Sequence, residues 1–387
     1  MKRKKPARFF TAAALGVCLS LTAGCAGNPY PGESGDAAAG LSAGAGNLRI
    51  VIVTSPAGVD DGGFNQDNYE GITSFVGKNP GASARSIQET DLSNSVGAVG
   101  GVLADYDVIV TPGYQFAGIY DLAVSNPDKY FILVDTFPAD SDGKERSDAP
   151  NVFAMQFAEE ESGFFAGIAA ALETKSGKVA VVCGIAYPSN VNYQYGFMSG
   201  VEYARKHYGS GAEIVELPGY AGTDVSGASV GGNYIGNFDD IATGKVVGET
   251  LLAEGVDIIF TAAGNSGNGV FTAVKENGGA MVIGCDVDQW RDGENGSGNI
   301  VLTSVLKRMS YNVEKQLQAV RDGVFQGGNF VLRADTDSTG YVGEPGRHQL
   351  GEDTLTKLGE VYGLVKDGSV VPASGSNRMT PTLFQGL

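Results

Sequence analysis

The chain has 387 residues, with 44 Asp and Glu against 27 Lys and Arg, giving a formal charge of −17. Such acidity argues against a nucleic-acid partner, which needs basic patches to meet phosphates. Four cysteines without a CxxC pair, and two histidines without metal-ligand spacing, argue against a structural zinc site.

In chain order, the first segment bears on location. Lys2, Arg3, Lys4, Lys5 and Arg8 precede the 13-residue apolar run "FFTAAALGVCLSL", too short for a permanent membrane span. The following "LTAGC" resembles a bacterial lipobox, with Thr22 where leucine is commoner. Residues 1–24 would then be a signal peptide, and lipid on Cys25 would anchor the mature chain without crossing the bilayer. Its removal takes away five positive charges and leaves −22. Residues 25–47 are almost wholly Gly, Ala, Ser, Pro and Asn, which lack the apolar bulk to fold, and read as a flexible tether. The folded part starts near Leu48. About 340 residues remain, too many for one typical core, so two domains are expected.

Six short apolar runs follow: "LRIVIVT" (48–54), "YDVIVT" (106–111), "YFILVD" (130–135), "KVAVVCG" (178–184), "VDIIFTAAG" (256–264) and "GAMVIGCDV" (279–287). They are rich in Val and Ile and do not alternate, which predicts strands buried on both faces. Cys183 and Cys285 each end such a run and read as buried thiols, although the sequence leaves open whether they pair. Helical stretches intervene: "EESGFFAGIAAALETKSG", "NVNYQYGFMSGVEYARKHYG", which closes on a C-capping Gly209, and "DDIATGKVVGETLLAEG", which opens on Asp239 and Asp240. Strand and helix in succession predict parallel sheets with right-handed crossovers, in one block before about residue 157 and one after.

Ligands of such sheets bind at loops leaving the carboxyl ends of strands. The polar, glycine-rich loops obey that placement: "SPAGVDDGGFN", "PGYQFAG" with Tyr114, "GIAYPSNVNYQYG" with Tyr187, "AGNSGNG" with Gly264, and "DVDQW". Two lobes facing each other across a cleft are the simplest architecture. In "DDGGFNQDNYEG", Asp60 or Asp61 suits the positive end of a helix. Phe64 beside Asn65 suits the face and edge of a planar heterocycle, or else Phe64 is a core residue at a helix start. Asp286 and Asp288, two apart in extended chain, would share a face, where a carboxylate can accept two hydroxyls of a vicinal diol. Lys307 would point to the same cleft or else lie on the surface. Backbone N–H groups around Gly264 could take a ligand oxygen, although tight turns need glycine anyway.

Catalytic and metal templates fit poorly. "GASVG" around Ser229 lacks the strand and helix of a nucleophile elbow, and only His348 follows it. "DTDSTG" begins like a calcium loop, but Thr339 and Gly346 stand where ligands should be, so a turn is expected. No metal or cofactor is expected.

With lipobox, tether, "DDGGFNQDNYEG", "FAEEESGFFAGIAAAL", "TAAGNSGNGV", "GCDVDQW" and "TSVLKR" in this order, the chain resembles the basic membrane lipoproteins, PnrA-like solute-binding lipoproteins of ABC transporters. The resemblance implies an α/β type I periplasmic-binding-protein fold, two Rossmann-like lobes with parallel sheets joined by a three-strand hinge. The lobes would be residues 48–157 plus about 303–330, and 158–302 plus about 331–387. It implies an extracytoplasmic monomer, anchored to the cell membrane by lipid on Cys25, that hands a small molecule to ABC permease and ATPase subunits. Members of the family bind purine nucleosides between aromatics. Carried over, Asp61, Phe64 and Asn65 would meet the base, with Tyr114, Tyr187 and Gly264 in the ligand-binding set and Asp286 and Lys307 on the ribose. The second aromatic is left open among Tyr187, Tyr193, Tyr195 and Trp290. The tyrosine loop and "AGTDVSGASVGGNYIGNF" depart from the family pattern, so a sugar or another solute stays open. So does a role as a nucleoside sensor, an adhesin or a hydrolase on the same fold.

Overall fold

A computed structural model describes residues 47–375; the signal, Cys25 and nearly all of the tether lie outside the described residues. Two six-stranded sheets organise the chain. The first runs, in spatial order, Gly328–Leu332, Val152–Phe157, Tyr130–Val134, Val108–Pro112, Arg49–Thr54 and Ser83–Gln88, all parallel. The second runs Thr339–Tyr341, Val301–Lys307, Met281–Gly284, Ile258–Ala262, Lys178–Cys183 and Glu213–Ile214. It is parallel except that Thr339–Tyr341 is antiparallel to Val301–Lys307.

The six apolar runs all form central strands, because both faces of each sheet are covered by helices and only continuous apolar side chains suit that burial. Outside these runs lie Ser83–Gln88, an edge strand exposed or half-buried along its whole length, the edge pieces at 213–214, 328–332 and 339–341, and the central strand Val301–Lys307. Val152–Phe157 is also a central strand, its apolar run interrupted by Gln156. Cys183 and Cys285 are buried and free, with no disulfide between them.

The chain passes between the sheets three times: at Ala158, at Arg308, and between Arg333 and Ser338. Strand Val301–Lys307 lies wholly in the second sheet, so the second passage comes just after Lys307, a few residues beyond 303.

Helices Glu159–Glu173 and Pro188–Tyr208 cover one face of the second sheet and press backbone to backbone. A Cβ on Gly163 would collide with the Tyr193 carbonyl, and one on Gly200 with that of Phe164. Glycine is needed at these contacts because nothing larger fits. The pair therefore holds the first turn of one helix against the first turns of the other. Pro188–Tyr208 ends on Gly209 at φ 71°, with Lys206 and His207 in its last turn, and Asp240 caps Ile241–Ala253 through Thr243 N at 2.9 Å.

Two local readings differ. Asp286 and Asp288 do not share a strand face, because the strand ends at Gly284 and Asp286 takes a left-handed φ of 68°. Asp288 instead pairs with Arg347 Nε at 2.5 Å. "DTDSTG" forms a 3₁₀ turn over Ala334–Thr336, but Thr339–Tyr341 continues as a strand rather than a turn.

Candidate functional site

Loops from the carboxyl ends of both sheets enclose a cleft of about 990 Å³, including its open mouth. Asp61, Phe64, Asn65, Tyr114, Tyr187, Gly264, Asp286 and Lys307 all line it, so the eight positions singled out from sequence are brought together. Trp290 and Tyr195 are not among its lining residues and pack against the cores of the second sheet instead. Tyr193 lines the cleft.

At one end the helix Phe64–Lys78 is capped by Asp61. Its Oδ1 accepts from the amides of Gly63 and Gln66, each at 3.0 Å, and its Oδ2 from Asn65 N and Nδ2, each at 2.9 Å. Three backbone donors at a helix start are thus satisfied by one carboxylate. The cap reading holds for Asp61, and its oxygens are already occupied by this loop. Burial nonetheless pushes its carboxyl up, against these hydrogen bonds. Asn65 Nδ2 also reaches Ser55 Oγ at 3.2 Å, while its buried Oδ1 has no protein partner among the described residues.

Lys307, which ends strand Val301–Lys307, is 2% exposed. Its Nζ lies 2.5 Å from Asp135 Oδ2 and 3.2 Å from Glu159 Oε1. The rings of Phe64, Phe157 and Tyr193 stand 5.2, 5.6 and 5.6 Å from the same nitrogen. Burial opposes charge on this amine, but Asp135, Glu159 and Asp286 outweigh it and hold Lys307 firmly protonated. One ammonium cannot neutralise three carboxylates. Burial therefore still raises Asp135 despite its contact with Lys307, and Glu159 and Asp286 push the same way.

Sequence reasoning misses Asp135, although a signal for it is present. It closes "YFILVD" as Asp286 closes "VIGCD", each after the corresponding strand of its sheet. Asp286 Oδ1 accepts from Tyr193 OH at 2.7 Å. Asp135 Oδ1 is buried without a protein partner among the described residues.

Also in the lining, Tyr114, which follows a strand of the first sheet, meets Tyr187, which follows one of the second, ring centroids 5.1 Å apart and tilted by 39°. Tyr187 is followed at 6.0 Å by Phe238, which packs beside Gly264 (φ 53°). Phe238 carries no usable sequence signal, since it sits in a glycine- and asparagine-rich loop.

The cleft offers aromatic faces, the buried cation of Lys307 and the carboxylates of Asp135 and Asp286, a constellation for binding a small polar molecule. Comparison with solved structures agrees on the architecture. An ABC transporter solute-binding protein from Aeropyrum pernix K1 superposes with a TM-score of 0.71 over 86% of this chain and 94% of its own, at 21% identity. One from Conexibacter woesei gives 0.60 over 84% and 98%, at 18% identity. The fold is the type I periplasmic-binding-protein fold.

The particular family follows from the sequence. The family model Bmp, described as ABC transporter substrate-binding protein PnrA-like, matches residues 49–208 and 226–343, and the chain belongs to that family. Among its relatives is the ABC transporter nucleoside-binding protein BmpA of Lactococcus lactis, 27% identical over 81% of this chain and 84% of that protein. A CD4+ T-cell-stimulating antigen of Listeria monocytogenes is 28% identical over 84% and 87%. The protein is thus a substrate-binding component of an ABC importer, acting outside the cytoplasm and in association with the membrane, with a small molecule and a transporter permease as partners.

Proposed function

We propose that the cleft captures a nucleoside, with a purine base held against aromatic rings and the ribose held by Asp135, Asp286 and Lys307. The observation that carries this reading is the buried ammonium of Lys307 set 2.5 Å from Asp135, with Asp286 in the same lining. Carboxylates accept from the two hydroxyls of a vicinal diol while an ammonium donates to their lone pairs, and each charged bond contributes roughly 1.5–3 kcal/mol. Phe64, Tyr114, Tyr187 and Phe238 supply ring faces in that lining, and stacking contributes roughly 1–3 kcal/mol per base. Asn65 Oδ1 and Asp135 Oδ1 are buried acceptors without protein partners among the described residues, the positions where ligand donors would restore hydrogen bonds. The name of the Lactococcus relative points the same way. Asp61 acts here by holding Asn65 rather than by touching the base. Cys25 carries the lipid that keeps the receptor at the membrane, and the protein works as a monomer.

Calorimetric titration with guanosine, inosine, adenosine, cytidine, uridine, ribose and free bases tests the reading. Purine nucleosides binding near micromolar, about −8 kcal/mol, with ribose and bases weak, is the expected result. Heat from sugars alone, or from none of these, overturns it. Hypoxanthine released on long incubation with inosine would make the protein a hydrolase instead.

A further inference from the structure

Glu159 reaches the cleft only through Lys307: it is 2% exposed and is not among the cleft-lining residues. Its Oε1 lies 3.2 Å from Lys307 Nζ but off the angle of a hydrogen bond, so the ammonium attracts this carboxylate without orienting it. A directed bond comes from the other side, where Asn192 Nδ2 donates to Glu159 Oε2 at 3.2 Å. Asn192 Oδ1 in turn accepts from Gly375 N at 3.1 Å, at the end of the segment that follows the last described helix, Glu352–Lys366. That segment is itself pinned by burial of Val370 and Ala373 and by Ala373 N donating to Ser199 Oγ at 3.4 Å. Asn192 and Ser199 both belong to helix Pro188–Tyr208, whose glycine contacts fix it against the helix that begins with Glu159.

We infer that Asn192 is a positioning residue of the binding site: tied to the chain at Gly375, it orients Glu159, and Glu159 fixes the place and charge of the Lys307 ammonium. The inference rests on the proposed role of Lys307 toward ligand hydroxyls. Preorganisation of this kind matters because a group held in place by its neighbours loses little freedom when the ligand arrives. The C-terminal segment thus acts on the cleft along a line of four groups, Gly375, Asn192, Glu159 and Lys307, without touching the ligand.

The test uses the full chain and two variants, Asn192→Leu, which keeps the branched shape and removes the bonds to Glu159 and Gly375, and Glu159→Gln, which keeps the shape and removes the charge. Each is titrated with a purine nucleoside and with its 2′,3′-dideoxy analogue, and the exchange of the Lys307 ammonium protons is followed by NMR. The expected result is a loss of about tenfold for the nucleoside, a smaller loss for the dideoxy analogue, and faster ammonium exchange in both variants. Equal losses for the two ligands, or unchanged exchange, overturn the inference and leave Asn192 a purely structural residue. If the unaltered protein binds neither ligand, the nucleoside reading fails by itself, and the exchange rates still decide whether Asn192 positions Lys307. Should Asn192→Leu fail to fold, Glu159→Gln carries the same comparison.

Discussion

Asp135 and Asp286 occupy corresponding places in the two sheets, each just past the third strand of its spatial order, with φ of 67° and 68°. A left-handed backbone costs a non-glycine residue roughly 1–2 kcal/mol, and Asp tolerates it better than most. Two equal exceptions at equal positions indicate that both lobes spend the same strain to turn a carboxylate into one cleft. Lys307 N donates to the Asp286 carbonyl at 2.9 Å while its Nζ meets Asp135, so this one residue is bonded to both acids.

Asp286→Ala is expected to weaken nucleoside binding by at least about 1.5 kcal/mol while changing free-base binding little. Calorimetry with nucleoside and base in parallel checks this. Equal losses would mean that Asp286 does not read the ribose.

Replacing Lys307 by Met leaves Asp135 and Glu159 buried without their cation, a change that costs about 3–5 kcal/mol at neutral pH. Asp135, already raised by burial, then favours its neutral form in the folded chain, so the native state binds more protons than the unfolded one. Stability must fall as pH rises. Urea unfolding of Lys307→Met should therefore give a higher midpoint at pH 5 than at pH 7.5.

Glu160 gives the unaltered protein a similar dependence. Burial, with Glu159 and Glu161 beside it, pushes its carboxyl up to about 8, and Arg333 at 3.9 Å offsets only part of this. The unfolded chain loses that proton near the ordinary value of 4.5, the folded chain only near 8. Between the two, stability falls with rising pH by about 1.4 kcal/mol per pH unit from this group alone. Glu160→Gln removes that part of the slope, and denaturation midpoints from pH 5 to 8 will reveal it.

Among the aromatics, Phe64→Ala, Tyr187→Ala and Phe238→Ala are compared with Trp290→Ala. Those that stack on the base lose roughly 1–3 kcal/mol of nucleoside affinity. Trp290→Ala, lying outside the cleft, should leave affinity unchanged and lower only the unfolding temperature. A large affinity loss in Trp290→Ala would contradict this assignment of the cleft.

Gly200→Ala places a methyl against the Phe164 carbonyl. Forcing the two helices apart should cost about 1–3 kcal/mol of stability, measured by urea unfolding.

The sequence by itself determined the strand-and-helix alternation, because strands buried on both faces must be continuously apolar, and it placed the ligand loops, because parallel sheets expose loops only at strand ends. It also pointed to the eight cleft positions, through loop chemistry and family resemblance. Only the tertiary structure decided what each of them does. Lys307 is buried because Asp135, 172 positions away, offsets its charge, and no local pattern records such a partner. Asp61 is held by its own helix start, a choice made by backbone geometry. Asp286 and Asp288 part company because one left-handed residue ends the extended run on which their alignment depended. Edge strands such as Ser83–Gln88 stayed hidden for a related reason: with one side open to water they need no apolar run, and only pairing with Arg49–Thr54 makes them strands.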